Sequence, residues 1–403
     1  MMDAHHPLSP PVRPATPARG ALRRRLLARG CVLALLATVP ALQAQADDAR
    51  PWLDTTRSFE DRAAALVAQI TLEEKAAQMQ NDSPAIERLG LPAYDWWNEA
   101  LHGVARAGGA TVFPQAIGMA ASFDIPLMDQ VSAAISDEAR AKHHRFLAEG
   151  KHGRYQGLTF WSPNINIFRD PRWGRGHETY GEDPFLTSRL GVRFVEGMQG
   201  DDPDYLQAAA CAKHFAVHSG PESDRHHFNA IVSKQDLWET YLPAFRALVK
   251  EAGVEAVMGA YNRTNGEPCC GSKTLLKDIL RDKWHFDGHV TSDCWAIKDF
   301  HTGHMVTDGP VESVALAVNN GCDLNCGDLY VYLEQAGAEG KLSEEKIDES
   351  LTRLYVTRMR LGMFDAEDQV PYNKVGYDVV DSAEMKALNL KVHDSILKQL
   401  RND

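Results

Sequence analysis

Three stretches of this 403-residue chain concentrate residue types that do chemistry together. The first is Tyr94-Asp95-Trp96-Trp97-Asn98-Glu99-Ala100-Leu101-His102-Gly103. The second runs from Arg169-Asp170-Pro171-Arg172-Trp173-Gly174-Arg175-Gly176-His177-Glu178 to Tyr180-Gly181-Glu182-Asp183-Pro184. The third is Lys213-His214-Phe215, with His218, Glu222, Asp224, His226 and His227 close behind. Tryptophan and tyrosine beside carboxylates, arginine and lysine suit sugar recognition. Aromatic faces stack on the apolar faces of pyranose rings, and charged groups hydrogen-bond the hydroxyls. Each stretch also has a plainer reading. Trp96 and Trp97 can be core, the Arg/Asp/Glu run a solvated loop network, and the histidine pairs surface residues. No metal site is indicated: the H-E-x-x-H spacing is missing, and Cys322 with Cys326 has no zinc-ribbon companion pair.

The elements that position these residues follow from hydrophobic patterning. Nearly continuous apolar runs at 157–168, 207–217, 254–261 and 288–293, with a fifth around 321–326, read as parallel strands buried on both faces. Residues 126–148 and 235–252 read as long amphipathic helices between them. Lys213, Tyr261, Asp293 and Asp323 sit near the ends of successive runs, at gaps of 48, 32 and 30 residues. A strand, a helix and a return loop need about 30 residues or more. The expected class is therefore α/β, a parallel (β/α)8 TIM-like barrel, with polar residues at strand C-termini forming the active site. An open doubly wound sheet is the alternative. No G-x-G-x-x-G follows the first strand, so dinucleotide binding has no support. Residues 58–80 read as one helix containing a Thr71/Glu74 capping box, and 343–362 as another. Residues 363–381 read as a linker, and 382–400 as a helix with no obvious packing partner.

Composition narrows the function. The chain carries 43 Lys+Arg against 55 Asp+Glu, a net charge of −12, with 44% hydrophobic residues. The apolar fraction argues against global disorder, and the acidic balance against nucleic acid. Residues 1–46 pair an arginine-rich flank (Arg19, Arg23, Arg24, Arg25, Arg29) with a short apolar run at 31–42 and a small-residue site, Ala44-Gln45-Ala46. This pattern predicts a secretory signal peptide, and hence periplasmic or extracellular export with no membrane association after cleavage. A loose twin-arginine match is an alternative export route. That segment holds six arginines and one aspartate, so the remainder has 37 basic and 54 acidic side chains, a net −17. Six cysteines over the remaining 357 residues are too sparse for a disulfide scaffold.

The motifs R-D-P-R-W-G-R…E-T-Y-G-E-D-P, A-K-H-F and T-S-D-C-W, in this order and spacing, resemble glycoside hydrolase family 3 over roughly residues 50–362, its N-terminal barrel. N-E-A-L-H-G resembles the β-xylosidase-like branch. The resemblance implies a retaining exo-β-glycosidase acting on terminal xylose or glucose of plant-derived oligosaccharides. It requires no metal or organic cofactor. Asp293 matches the family's nucleophile, which forms a covalent glycosyl-enzyme. Lys213, His214, Arg175 and Glu99 match residues that hold the sugar's hydroxyls, and Tyr261 a tyrosine near the nucleophile. Glu99 stands where many β-glucosidases have the shorter aspartate, which predicts crowding of a hexose C6 group and a preference for pentosides. Cys294 and Cys326 match positions that can form a disulfide in xylosidase-like relatives; two buried free thiols are the other reading. The adjacent Cys269 and Cys270 are unassigned.

A retaining glycosidase also needs an acid/base carboxyl about 5–5.5 Å from the nucleophile. In two-domain family members it comes from a following α/β sandwich domain, and residues 363–403 resemble a linker and the cut-off start of that domain. The alternative to an active enzyme is thus a sugar-binding remnant that lacks its proton donor. Single-domain N-acetylhexosaminidases of the family use an Asp–His pair instead, and Asp224-Arg225-His226 has that spacing. Asp224 and His226 are therefore candidate acid/base residues, although xylosidase-like members carry Arg-His here without that role. A metal-dependent hydrolase built on the histidine pairs is the third reading.

Overall fold

The computed structural model describes residues 50–401, so the proposed signal peptide lies outside the described residues. Short strands form a ring, four of them from the apolar runs at 157–168, 207–217, 254–261 and 288–293. They are β1 (Asp82–Ser83), β2 (Tyr94–Asp95), β3 (Thr159–Phe160), β4 (Ala209–Phe215), β5 (Ala256–Gly259) and β6 (His289–Ser292). Strands β3, β4, β5 and β6 are parallel neighbours in that order, with Phe160 opposite Ala210, Ala212 opposite Val257 and Val257 opposite Val290. Parallel bridges Thr291–Leu324 and Gln80–Asn325 carry the ring onward, and Asn98–Phe160 joins it from the other side. The antiparallel pair β1–β2 closes the circuit. The result is an α/β, TIM-like barrel with one local irregularity: its closure runs through a reversed pair. Every residue of β4 is buried, which is why these strands read as unbroken apolar runs.

The helices α1 (Phe59–Val67), α2 (Leu72–Gln78), α3 (Ile125–Ala148), α4 (Pro184–Gln199), α5 (Pro243–Lys250), α6 (Pro310–Asn319), α7 (Glu344–Arg360) and α8 (Ala383–Arg401) surround the strands. The single helix expected over 58–80 is two. Thr71 does form a capping box, its Oγ1 accepting from Glu74 N at 3.3 Å and Glu74 Oε2 accepting from Thr71 N at 2.9 Å. A capping residue is extended, here ψ 159°, so the motif that looks internal to a helix starts a new one.

The C-terminal helix also finds a partner. Met385 and Val392 of α8 are buried, and the helix lies against α3. Asn389 Nδ2 donates to the Val112 carbonyl at 2.9 Å, and Lys391 Nζ to Gln130 Oε1 at 2.8 Å. Ahead of it, the Asp381 amide donates to Glu138 Oε1 at 2.8 Å. Residues 363–381 are short turns that lead to this docking.

Asp323 departs from the expected pattern. It precedes the bridging residue Leu324, so it stands at the entry of its strand and not at the exit. Fully buried, it accepts from Arg281 Nη2 at 2.9 Å, Arg353 Nη1 at 2.9 Å and Val290 N at 2.8 Å. Its role is structural: it ties α7 to the barrel end opposite the strand C-termini.

Candidate active site

The exits of the parallel strands converge on a cleft of about 340 Å³. Asp293 follows β6 directly, and its amide donates to the Gly259 carbonyl at the end of β5 at 3.1 Å. It is 6% exposed. Its Oδ1 accepts from Cys294 N at 2.8 Å, whereas among the described residues Oδ2 has no hydrogen-bond partner. His214 Nε2 stands 3.5 Å and Arg175 Nη1 4.0 Å from that free oxygen. Burial pushes the Asp293 carboxyl above its ordinary range, and the charges of Arg175 and Lys213 pull against that rise.

The cations come from the preceding strands. Lys213 and His214 lie near the end of β4. The ring of His214 is clamped: Nδ1 lies 2.9 Å from Asn166 Oδ1 and Nε2 2.8 Å from Arg175 Nη1. Arginine can only donate, so Nε2 accepts and Nδ1 carries the proton. Burial, together with the neighbouring Arg175 charge, holds the imidazole neutral, well below its usual pKa. Arg175 is in turn held by Glu178, through Nε to Oε1 at 2.9 Å and Nη2 to Oε2 at 2.7 Å. Burial opposes charge on Glu178, but the Arg175 hydrogen bonds and charge prevail and bring its pKa down to about 2. Glu178 thus acts as a fixed anion that aims Arg175.

The remaining wall is aromatic and acidic. Trp97 stacks on Trp161 at 5.6 Å between ring centroids and meets Trp295 edge-on at 6.5 Å. Glu99 reaches the cleft with Oε1 accepting from Trp97 Nε1 at 2.9 Å and Oε2 paired with Arg106 Nε at 3.2 Å. Cys294 and Cys326 form a disulfide across a Cα–Cα distance of 4.4 Å, so the free-thiol reading of this pair does not hold. The bond and the Trp295 N to Cys326 O hydrogen bond fasten the segment after Asp293 to the neighbouring strand exit. Cys269 and Cys270 are buried free thiols.

Asp293, Glu99, Arg175, Lys213, His214 and Tyr261 all line this one cleft. The pair Asp224–His226 does not form. His226 Nδ1 bonds Asp299 Oδ2 at 2.8 Å, and its ring packs edge-on against Tyr261 at 4.9 Å. Asp224 instead sits in the short turn Glu222–Asp224, away from the cleft lining. The residue between them, Arg225, does reach the cleft. Glu178 and Asn166 orient the cationic side chains; the sequence places Glu178 in the second polar stretch without assigning it a role and does not single out Asn166. The Arg175-x-x-Glu178 spacing is a sequence signal for the first; the Asn166 contact has none. Among the described residues no group of three or more His, Cys, Asp or Glu is placed to hold a metal ion.

A buried carboxylate ringed by cations and tryptophans, at the exits of parallel barrel strands, is the arrangement of a barrel glycoside hydrolase. The model of the glycosyl hydrolase family 3 N-terminal domain matches residues 56–357, and the chain belongs to that family. A xylan 1,4-β-xylosidase from Xylanibacter ruminicola is 45% identical over 88% of this chain and 42% of its own length. A probable β-D-xylosidase from Arabidopsis thaliana is 41% identical over 85% of this chain and 46% of its own. The solved structure of a family 3 exo-β-xylosidase with a xylobiose aziridine activity-based probe superposes with a TM-score of 0.81 at 34% identity. That match covers 87% of this chain and 46% of the xylosidase. The chain therefore spans about half the length of the relatives it matches.

Proposed function

We propose that this barrel binds the terminal xylose of β-linked oligosaccharides and that Asp293 attacks the anomeric carbon, giving a retaining exo-β-xylosidase. The observation that carries the reading is the unpartnered Asp293 Oδ2, buried in a cleft with Arg175, Lys213 and neutral His214. A free lone pair held beside fixed cations suits a nucleophile that must stay ionised yet reactive. The xylosidase relatives support the sugar choice. The disulfide beside Asp293 suits an oxidising compartment and so supports export.

Glu99 supplies a test of sugar choice. Shortening it to aspartate withdraws one methylene from the cleft. A methylene in a packed pocket is worth about 1–3 kcal/mol, roughly tenfold or more in selectivity. Glu99→Asp is expected to shift the kcat/KM ratio of aryl β-glucoside to aryl β-xyloside upward by about tenfold. An unchanged ratio removes Glu99 from the selectivity argument.

Lys213 supplies a second test. Its charge helps keep the Asp293 carboxyl ionised. Lys213→Met removes that charge, so the carboxyl protonates at a higher pH. The acid limb of the kcat/KM profile is expected to move to higher pH, along with any loss from weaker sugar binding. A profile that falls in height without moving separates hydroxyl binding from charge.

A second reading is favoured by the state of the other cleft carboxylates. Glu178 is committed to Arg175, and Glu99 to Trp97 and Arg106. Neither is free to give a proton to a leaving group. We infer that the acid/base lies outside the described residues and that this chain alone handles only leaving groups that depart unprotonated. Aryl β-xylosides of graded leaving-group pKa decide between the readings. Turnover restricted to the most activated substrates supports the missing donor; efficient cleavage of poorly activated ones locates a donor within this chain.

A further inference from the structure

A second cavity, of about 300 Å³, opens at the opposite end of the barrel. Its location follows from Arg140, which lines it and donates to the carbonyls of Leu206 (2.6 Å), Gln207 (2.5 Å) and Leu361 (3.0 Å). Leu206 and Gln207 lie just ahead of β4, at the strand entrances and away from the sugar cleft. Arg358, from α7, lines the same cavity and is 2% exposed. Among the described residues nothing accepts a hydrogen bond from it, and its Nε is buried without a partner. Rings of Tyr94, Tyr355 and Phe364 lie 5.1, 5.5 and 5.6 Å from its guanidinium carbon. Such rings stabilise the charge through the guanidinium faces. They leave the in-plane N–H donors unanswered, and arginine is seldom buried without an acceptor.

The rest of the lining completes a recognition surface. Two carboxylates contribute to it. Asp365 is already committed to Arg62 and to the Tyr205 hydroxyl, and Glu367 is exposed. Neither neutralises Arg358. His144 places a buried Nε2 with no partner among the described residues at the same wall, its Nδ1 donating to the Val375 carbonyl at 3.2 Å. That leaves Nε2 as an acceptor for a hydroxyl. Leu147, Leu361 and Met363 give an apolar flank. The volume falls at the small end of ligand sites.

We propose that this cavity binds a small organic oxyanion, a carboxylate or a phosphate monoester, with its head on Arg358 and Arg140 and its apolar body against Leu147, Leu361 and Met363. Guanidinium groups take such heads through paired N–H donors. The site is independent of the sugar cleft and of the reading given to it.

Calorimetric titration of the 403-residue chain with 4-hydroxycinnamate and with phenyl phosphate tests this, with neutral 4-hydroxycinnamyl alcohol as control. At least one anion is expected to bind at one site, with the alcohol at least tenfold weaker. Which anion binds identifies the head group. Arg358→Met and Met363→Trp, the second filling the cavity while keeping the guanidinium, are each expected to weaken binding at least tenfold. If Arg358→Met does not fold, Met363→Trp decides alone. Failure of both anions to bind, equal binding of acid and alcohol, or full binding by Met363→Trp overturns the proposal.

Discussion

Replacing Asp293 with alanine is expected to abolish turnover of aryl β-xylosides, a loss of about 10⁴-fold or more, as for removal of other covalent nucleophiles. The fold should survive, because Oδ2 has no partner to lose and Oδ1 only the amide of the next residue. The measurement pairs kcat/KM with intact mass after incubation with an activated 2-fluoroxyloside. Wild-type protein should gain one sugar mass, mapped to the peptide containing Asp293, and the variant none. Labelling of another carboxylate, or activity within tenfold of wild type, would assign the chemistry elsewhere. A variant that neither turns over nor labels, but still binds xylose, would show that the cleft recognises sugar without its nucleophile.

The second large effect concerns stability. Asp323→Ala removes the one carboxylate shared by Arg281 and Arg353, together with the acceptor for Val290 N. Arg281, its side chain 14% exposed, then keeps only the carbonyls of Phe286 and Gly288, and Arg353, 21% exposed, keeps only Glu349. Breaking a buried ion pair from one side typically costs about 3–5 kcal/mol. Urea unfolding followed by circular dichroism should show a destabilisation of that size. A change below about 1 kcal/mol would mean that solvent reaches the arginines and screens them. Since Asp323 lies at the strand entrances, surviving folded variant should keep the kinetic constants of the cleft.

Asp323 also shows where strand-end reasoning reaches its limit. Lys213, Tyr261 and Asp293 were legible because each follows or closes a buried apolar run at its exit. In Gly321-Cys322-Asp323-Leu324-Asn325-Cys326 the run is too short for composition to separate entrance from exit. Only the bridge from Thr291 to Leu324 does so. The helix over 58–80 failed for a related reason. Apolar spacing continues across the break, and the capping box, read as support, was the break itself. Spacing along the chain pairs His226 with Asp224, whereas its partner in the fold, Asp299, lies 73 residues away. Contacts between distant loops leave no local signature, and the same holds for Asn166 beneath His214. The barrel class and the six cleft residues were legible because they rest on periodicity and on a dense local motif.

The tryptophan wall has a practical consequence. Trp97 and Trp161 stack in the cleft wall, and Trp295 beside them is 47% exposed to water. An indole's emission follows the polarity around it, so a sugar that displaces water from Trp295 is expected to change its fluorescence, whereas indoles as deeply buried as Trp52 and Trp284 should stay constant. On the proposed function, Trp295 is expected to report cleft occupancy, including by ligands that are bound but never cleaved.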